Sequence, residues 1–378
     1  MNPDPPPAAA RPSPPQLRPA RFDDYPQIQQ IEAANLDETL SPSDWRGLFL
    51  DNPLWLRLGD RWPIGWVLED AASRVVGSLT NVPSLYRFRG RELICASGRA
   101  WAVSGDYRGF ALWLMDEYFN QPGADLFMNT TVGAQAMPAL AALSSRVPLG
   151  DWETAAFWVT RYRGFARKAL EKMGVPLAGA LALPAAAALR LKDALFAKRL
   201  PAVPASVVVA AEDGFDSRFD RFWEELARNN PEKLLGVRDR PALSWHFAVS
   251  KRQGRLWINT ASRGGLLRAY CILLRQDARQ GVRRVRLIDY QTVDPDADLL
   301  PGLLGAALRR CAAEDAYLLE HLGCGLPKMH GFDRFAPYRR KLSNWPFYYH
   351  AADPALAAEL SRPEVWDPSG FDGDAGLM

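Results

Sequence analysis

The segment AWAVSGDYRGFALWL, residues 100–114, shows the most informative structural pattern in the chain. Its apolar and aromatic start predicts a strand, and the small and polar residues that follow lead into an amphipathic helix. The first amides of a helix lack partners within it, and the helix dipole places partial positive charge there. Gly109 and Ala111 leave room for a phosphate, and Arg108 adds a full positive charge. The turn is therefore predicted to bind a diphosphate.

An ordinary strand-to-helix turn that contains a glycine is the alternative interpretation, because so short a pattern also arises by chance. Strand-like segments at 65–70, 74–82 and 92–104 precede the turn, so it does not open a βαβ unit. The chain contains neither GxGxxG nor GxxxxGK[ST], which argues against a dinucleotide-binding fold and a P-loop.

This arrangement resembles the GNAT superfamily of acyl-CoA N-acyltransferases. In that family a central strand ending in valine leads to a Tyr-Arg-Gly-x-Gly-x-Gly/Ala loop, whose amides hold the pyrophosphate of coenzyme A. The chain matches the pattern at Val103, Asp106, Tyr107, Arg108 and Gly109. It has Ala111 where the family prefers glycine and departs at Trp113, where the pattern has a small residue. This departure has three alternative interpretations: the indole crowds the cofactor, the site takes a different acyl carrier, or it takes no acyl carrier.

The resemblance implies acetyl-CoA or another acyl-CoA as co-substrate and no metal. The residues that it assigns to cofactor binding are Ala102, Val103, Tyr107, Arg108, Gly109, Phe110 and Ala111. The resemblance covers residues 16–165, where the strands and helices follow one another in the same order as in the family.

The resemblance also implies direct acyl transfer, in which an amine attacks the thioester, a base removes a proton and an acid protonates the thiolate. The family often places the acid, a tyrosine, in the helix after the next strand, but VGAQAMPALAALSSRVPLG (132–150) contains none. Tyr118, Ser144 or water are the remaining candidates for the acid, and Glu92 for the base. The catalytic residues are therefore not assigned.

The order of elements predicts an α/β protein of two tandem GNAT-like domains, each a mixed, mostly antiparallel central sheet flanked by helices. Residues 1–15 are proline-rich and are expected to be disordered. The predicted domains cover residues 16–175 and 207–378, and a Pro/Ala-rich linker at 176–206 separates them.

The second half is also similar to the Fem-type peptidyltransferases, which pair two such domains. Its equivalent of the phosphate loop is VDPDADLLPGLLGAAL (293–308). Asp294, Asp296 and Asp298 would repel a diphosphate there, so we expect coenzyme A to bind only in the first half.

The distribution of charged residues along the chain indicates whether the protein binds nucleic acid. The formal net charge of +3 argues against a nucleic-acid binder. Residues 238–290 are nevertheless rich in Lys and Arg, which predicts a solvated basic face or, in the Fem-type alternative, a surface for charged tRNA. The acidic ending WDPSGFDGDAGLM (366–378) is expected to fold back against that face or to wall an acceptor pocket.

Several sequence patterns indicate the cellular compartment of the protein. The four cysteines and four histidines show no metal-ligand spacing, which favours reduced, buried thiols and a cytoplasmic protein without a metal. No apolar run reaches the length of a membrane span, and the first residues do not resemble a signal peptide. The basic, amphipathic segment ALRLKDALFAKRL (188–200) is interpreted as a helical connector, and peripheral docking on an anionic membrane is its alternative.

Together these patterns predict an acyltransferase that moves an acyl group from acyl-CoA to an amine, in a sugar, a peptide or a metabolite. The alternatives are a Fem-type aminoacyltransferase that uses charged tRNA and a non-catalytic module that binds acyl-CoA or another ligand. The sequence carries no signal for acyl-chain length, acceptor identity or oligomeric state.

Overall fold

The computed structural model describes residues 13–35, 39–278, 281–294, 298–342, 345–374 and 376–377. The chain forms two compact units: unit 1 is Met1–Ser84 with Ile94–Phe127, and unit 2 is Leu85–Leu93 with Met128–Met378. Most of the predicted proline-rich tail, residues 1–15, lies outside the described residues. The predicted linker at 176–206 lies inside unit 2. The division into GNAT-like domains of residues 16–175 and 207–378 stays a prediction.

Unit 1 is a sheet covered by helices. Its strands follow one another across the sheet in chain order: β1 Gln16–Pro19, β2 Gly65–Glu69, β3 Val75–Phe88, β4 Arg91–Val103 and β5 Leu126–Asn129. The helices are α1 Tyr25–Asn35, α2 Pro42–Leu50, α3 Pro53–Leu58 and α4 Ala111–Asn120. Pairing of β1 with β2 and of β2 with β3 is antiparallel. The tip of the β3–β4 hairpin, residues 85–93, belongs to unit 2.

An aromatic core holds the helices of unit 1 on this sheet. The rings of Tyr25 and Trp45 stack with their centroids 4.6 Å apart. Trp45, Trp62 and Trp66 are buried, and Trp55 is half-buried. Burial of side chains of this size contributes about 1.5–3 kcal/mol each. This core therefore fixes the sheet on which the predicted turn stands.

Unit 2 contains a second mixed sheet. Across it the strands run in the order β14, β7, β13, β12, β11, β10, β8, with β12 and β13 parallel and the other pairs antiparallel. The strands are β7 Thr154–Val159, β8 Val207–Glu212, β10 Leu256–Arg263, β11 Leu266–Arg275, β12 Arg284–Thr292, β13 Leu318–His321 and β14 Tyr338–Lys341. Short strands outside it are β6 Ser145–Arg146, β9 Leu235–Gly236 and β15 Tyr348–Ala351. The predicted α/β class with mixed, mostly antiparallel sheets is confirmed.

Helices flank this second sheet. They are α5 Met137–Leu143, α6 Tyr162–Lys172, α7 Ala178–Phe196, α8 Ser217–Asn229, α9 Arg240–His246, α10 Ala248–Arg252, α11 Leu300–Ala313, α12 His330–Asp333 and α13 Pro354–Leu360. Helix α8 buries Phe219, Phe222, Trp223 and Leu226 in the core, as its helical spacing predicts.

Two local predictions differ from the structure. The sequence order places strand β7 at the end of the first half, but it pairs with β13 and β14 in the second sheet. An alternating pattern specifies a strand and not its partner, which explains the error. The connector helix spans Ala178–Phe196 and not residues 188–200, because alanine-rich sequence continues the helix through Pro184. None of the helices in the described ranges is long and apolar enough to cross a membrane.

Candidate functional site

The predicted turn is a short 3₁₀ helix, Gly105–Phe110, between β4 and α4. The amide of Ser104 donates to the carbonyl of Val76 on β3 at 2.8 Å, so pairing with β3 continues to this residue. The amide of Tyr107 donates to the carbonyl of Ser104, and that of Ala111 to the carbonyl of Arg108. Among the residues that the structure describes, no side chain caps the start of α4. The amide of Ala111, the first residue of α4, is therefore already paired within the preceding 3₁₀ helix.

The outer side of this turn is open. A Cβ atom placed on Gly105 or Gly109 would have no heavy atom of the described residues within 4 Å. Asp106, Arg108 and Gly109 are exposed, whereas Ala102 and Val103 at the end of β4 are buried. The turn thus combines a buried strand end, an open outer side and an exposed guanidinium, and a guanidinium of this kind can bind an anion.

The end of β4 is held in an unusual conformation. Ala100 lies within the strand with φ of +56°, in the left-handed region that non-glycine residues rarely adopt. After it, the indole N–H of Trp101 donates to the carbonyl of Ala111 at 3.2 Å, which joins the strand to the first turn of α4. Such strained positions cluster at functional sites.

We expect Ala100→Val to destabilise the protein by about 1–3 kcal/mol, because a β-branched residue is strongly disfavoured at this φ. Ala100→Gly should stay within about 1 kcal/mol of the wild type, since glycine adopts positive φ readily. Urea unfolding followed by tryptophan fluorescence measures both. An equal or greater stability of the valine variant, as strand propensity alone predicts, would contradict the left-handed conformation.

The equivalent turn in unit 2 is closed. Gly302, in the first turn of α11, packs against apolar side chains, and a Cβ there would lie 2.6 Å from a methyl carbon of Val209. Asp294 and Asp298, which precede this helix, form ion pairs with Arg263. Asp296 lies outside the described residues. Binding of coenzyme A in the first half only stays a prediction.

Trp113 is the residue that departs from the GNAT pattern. Its indole is 40% exposed and meets the ring of Phe110 edge-on, with the centroids 5.0 Å apart. The indole therefore lies on the outer surface of α4, beside the turn, and is not part of the core.

The two hydroxyl candidates for the catalytic acid are both engaged with main-chain carbonyls. Tyr118 is fully buried, and its hydroxyl donates to the carbonyl of Ala96 on β4 at 2.7 Å. Ser144 follows α5 and donates to the carbonyl of Leu140 at 2.6 Å. Tyr118 anchors α4 on β4 and Ser144 ends a helix, so each hydroxyl has a structural role in this conformation.

Glu92, the candidate base, is exposed at the hairpin tip that belongs to unit 2. It lines a groove of about 630 Å³ together with Arg87, Glu224, Arg228 and Lys233. Arg87 pairs with Glu224 at 3.3 Å, and the ammonium of Lys233 donates to the carbonyl of Glu364. The groove mixes both signs of charge and does not specify one ligand.

Sequence reasoning missed a buried ion pair in unit 1. Glu32 on α1 and Arg99 on β4 lie 3.4 Å apart, and both are almost fully buried. Burial raises the pKa of Glu32 despite the opposing charge of Arg99. Glu32 lies four residues after Ile28 and is therefore on the buried face of α1. This spacing is the feature of the sequence that indicates its burial.

The Fem-type alternative requires a free basic face at residues 238–290. The fold gives most of these cations an acidic partner: Arg238 with Asp289, Arg240 with Asp220, Arg263 with Asp294, Arg268 with Glu225, Arg275 with Asp277, Arg283 with Asp315, and Arg286 with Glu320. Asp372 lies 3.7 Å from Arg238, which confirms that the acidic ending folds back on this segment. The described part of the segment therefore does not favour tRNA.

Two classes of solved structure resemble most of this chain. A GCN5-related N-acetyltransferase from Anabaena variabilis has 12% sequence identity and a TM-score of 0.53, over 89% of this chain and 73% of that chain. Saccharomyces cerevisiae N-myristoyltransferase with bound myristoyl-CoA has 12% identity and a TM-score of 0.54, over 92% of this chain and 81% of that chain. The chain has the GNAT fold.

Both likenesses extend over the two halves, which is consistent with a tandem GNAT arrangement. No protein-family model and no curated protein sequence matches the chain. In the described part of the chain, no three or more His, Cys, Asp or Glu side chains form a group that could hold a metal ion.

Proposed function

We propose that the protein transfers an acyl group from an acyl-CoA to an amine, in a sugar, a peptide or a metabolite. The observation that carries the proposal is the open turn at residues 103–111 with its exposed Arg108, which ends a central strand and starts a helix of a GNAT fold. The closed and acid-flanked equivalent in unit 2 serves as an internal contrast. The myristoyl-CoA bound in one structural relative adds support for an acyl-CoA ligand.

The residues at the turn fit a diphosphate. Arg108 supplies a cation, and the main chain at Gly105 and Gly109 is open to a ligand, because a Cβ placed on either glycine would have no heavy atom of the described residues within 4 Å. Charge-assisted hydrogen bonds to phosphate oxygens are stronger than neutral ones, so Arg108 should contribute most among the side chains. Ala102, Tyr107 and Phe110 complete the proposed binding segment.

The proposed chemistry is a direct displacement. The amine nitrogen attacks the thioester carbonyl, the C–S bond breaks, the nitrogen loses one proton and the thiolate of coenzyme A gains one. Because the hydroxyls of Tyr118 and Ser144 are bound to main-chain carbonyls, we propose water as the proton donor. Glu92 stays the sequence-based candidate for the base, although it lies at the end of β4 opposite the turn. The turn then contributes by fixing the thioester relative to the amine.

Isothermal calorimetry with coenzyme A and acetyl-CoA tests the binding site. Arg108→Gln should weaken binding at least about tenfold, because a charged hydrogen bond is lost, and Arg108→Glu should abolish it. Arg61→Gln is the matched control, since Arg61 is also an exposed arginine of unit 1. Wild-type affinity in the glutamate variant would remove the turn from cofactor binding.

Release of free coenzyme A thiol, measured with a thiol reagent and panels of amino sugars, peptides and small amines, tests the activity. Acyl-CoA binding without any amine-dependent thiol release would favour a non-catalytic binding module. Acyl chains from acetyl to long fatty acyl should be compared, because the fold accommodates different donors. The four cysteines are buried thiols, which suits a reducing compartment, and we keep the cytoplasm as the proposed location.

A further inference from the structure

Helix α7 buries small side chains and exposes large apolar ones, which is the reverse of the usual arrangement on a soluble protein. Its buried residues are alanines four positions apart, Ala178, Ala182 and Ala186, and the helix packs along α6. Small residues at this spacing let two helices approach closely. The large apolar residues must therefore point elsewhere.

Those large residues are exposed on α7 and on the connection that precedes it. Phe196 is 77% exposed, and Leu195 and Leu191 are 67% and 61% exposed. The complete set is here called the hairpin surface, after the helical hairpin of α6 and α7 and not the β3–β4 hairpin. It consists of Met173, Leu177, Leu181, Leu183, Leu191, Leu195 and Phe196. Clustered exposure of this kind is uncommon on soluble proteins and marks an interaction site.

The charges along the segment that carries the hairpin surface are mostly positive. Between residues 172 and 211 the cations are Lys172, Arg190, Lys192, Lys198 and Arg199, and Asp193 is the single acid. Both carboxylate oxygens of Asp193 accept hydrogen bonds from tyrosine hydroxyls, Tyr162 at 2.8 Å and Tyr338 at 2.7 Å. The one negative charge is therefore held by neighbouring side chains, while Lys198 and Arg199 are exposed beside Phe196.

We propose that the hairpin surface docks on an anionic phospholipid bilayer, with α7 lying along the interface. Exposed apolar side chains near lysine and arginine gain from two sources there: burial of the side chains among acyl chains and attraction of the cations to the headgroups. The charge pattern selects this occupant over a second copy of the chain. A two-fold symmetric dimer through this surface would place like charges against one another. The proposal is independent of acyl transfer.

Co-sedimentation of the full chain with lipid vesicles, without acyl-CoA, tests the proposal. We expect binding to vesicles of phosphatidylcholine with phosphatidylglycerol, and much weaker binding to phosphatidylcholine alone. The triple variant Leu191→Ser, Leu195→Ser, Phe196→Ser should bind the anionic vesicles at least about a hundredfold more weakly. The double variant Lys198→Gln, Arg199→Gln should lose about thirtyfold on anionic vesicles only.

The matched control replaces three exposed apolar residues elsewhere: Leu56→Ser, Val208→Ser, Leu266→Ser. It should bind anionic vesicles as the wild type does. Because all substituted side chains are exposed, circular dichroism should show unchanged folding. Equal binding of the wild type and the hairpin triple variant, or equal binding to both lipid compositions, would overturn the proposal. So would self-association in sedimentation velocity that the triple variant removes, because it would identify a second copy as the occupant.

Discussion

Arg238→Met is expected to lower the free energy of unfolding by about 3–5 kcal/mol, because it leaves buried carboxylates without their cation. The guanidinium of Arg238 is 1% exposed. It donates to Asp289 at 2.9 Å and to the carbonyl of Gly236 at 2.8 Å, and it lies 3.7 Å from Asp372. Burial alone would raise the pKa of Asp289, but the charge of Arg238 holds that pKa below its usual value.

The surrounding contacts make this cation hard to replace. Its guanidinium also lies 4.4 Å from the ring centroid of Phe371 and bonds the hydroxyl of Ser369 at 3.2 Å. Asp372 accepts from the hydroxyl of Tyr86 at 2.8 Å, and burial raises the pKa of its carboxyl. Loss of Arg238 should therefore also loosen the segment that contains Ser369, Phe371 and Asp372.

Urea unfolding at pH 7.5 measures the effect, and Arg240→Met is the matched control. Arg240 is half exposed and lies 3.7 Å from Asp220, so its loss should change stability by no more than about 0.5 kcal/mol. Adding Asp289→Asn to Arg238→Met should recover part of the loss, because one uncompensated charge disappears. A single variant within about 1 kcal/mol of the wild type would mean that the carboxylates are neutral or hydrated in the native protein.

The local elements of unit 1 can be predicted from the sequence because their signals are local. Residues 16–19 form a strand, the helix with Tyr25 and Ile28 on its buried face follows, and the turn after Val103 leads into α4. Each depends on periodicity or on turn chemistry within a dozen residues. The candidate turn is therefore recognisable from its amino acids alone.

The remaining features depend on contacts between distant residues. No pattern near β7 indicates that it pairs with β13, and nothing near Arg238 indicates Asp289, 51 residues away. The same holds for Glu32 and Arg99, whose charges are compensated across two elements. The number of cations along residues 238–290 suggests a basic face, but in the folded chain most of them pair with acidic side chains, several of them, such as Asp220, Glu225 and Asp315, far away in the sequence.

Acidification from pH 7.5 to pH 5 is expected to remove about 2 kcal/mol of stability through His246 alone. This residue lies in the core of unit 2 with its ring centroid 4.3 Å from that of Phe371. Burial lowers the pKa of His246 to about 3, and the positive charge of Arg238 contributes in the same direction. In the unfolded chain the pKa is 6.5, so only the unfolded state takes up a proton as the pH falls through that value. Stability is therefore lost from about pH 6.5 downward until the folded protein also titrates near pH 3.

A second buried group acts in a different pH window. Glu320 accepts from Arg286 at 2.6 Å and also pairs with Arg284 and Arg340. Burial opposes its charge, but these three cations lower the pKa of Glu320 to about 2 from 4.5. Its contribution is complete above pH 4.5 and is lost only as the pH falls from there towards 2. The change in the free energy of unfolding between pH 7.5 and pH 5 therefore depends on His246 and not on Glu320.

The measurement is the difference between the two pH values for the wild type and for His246→Leu, each from urea unfolding. Subtraction cancels any constant cost of the leucine and also the effect of His350, whose pKa burial lowers as well. The variant should lose about 2 kcal/mol less than the wild type over this interval. His330→Gln, which removes an exposed imidazole, should follow the wild type. Parallel losses in the wild type and in His246→Leu would show that the pKa of the buried imidazole is not lowered, so that the folded and unfolded states take up the proton over the same pH range.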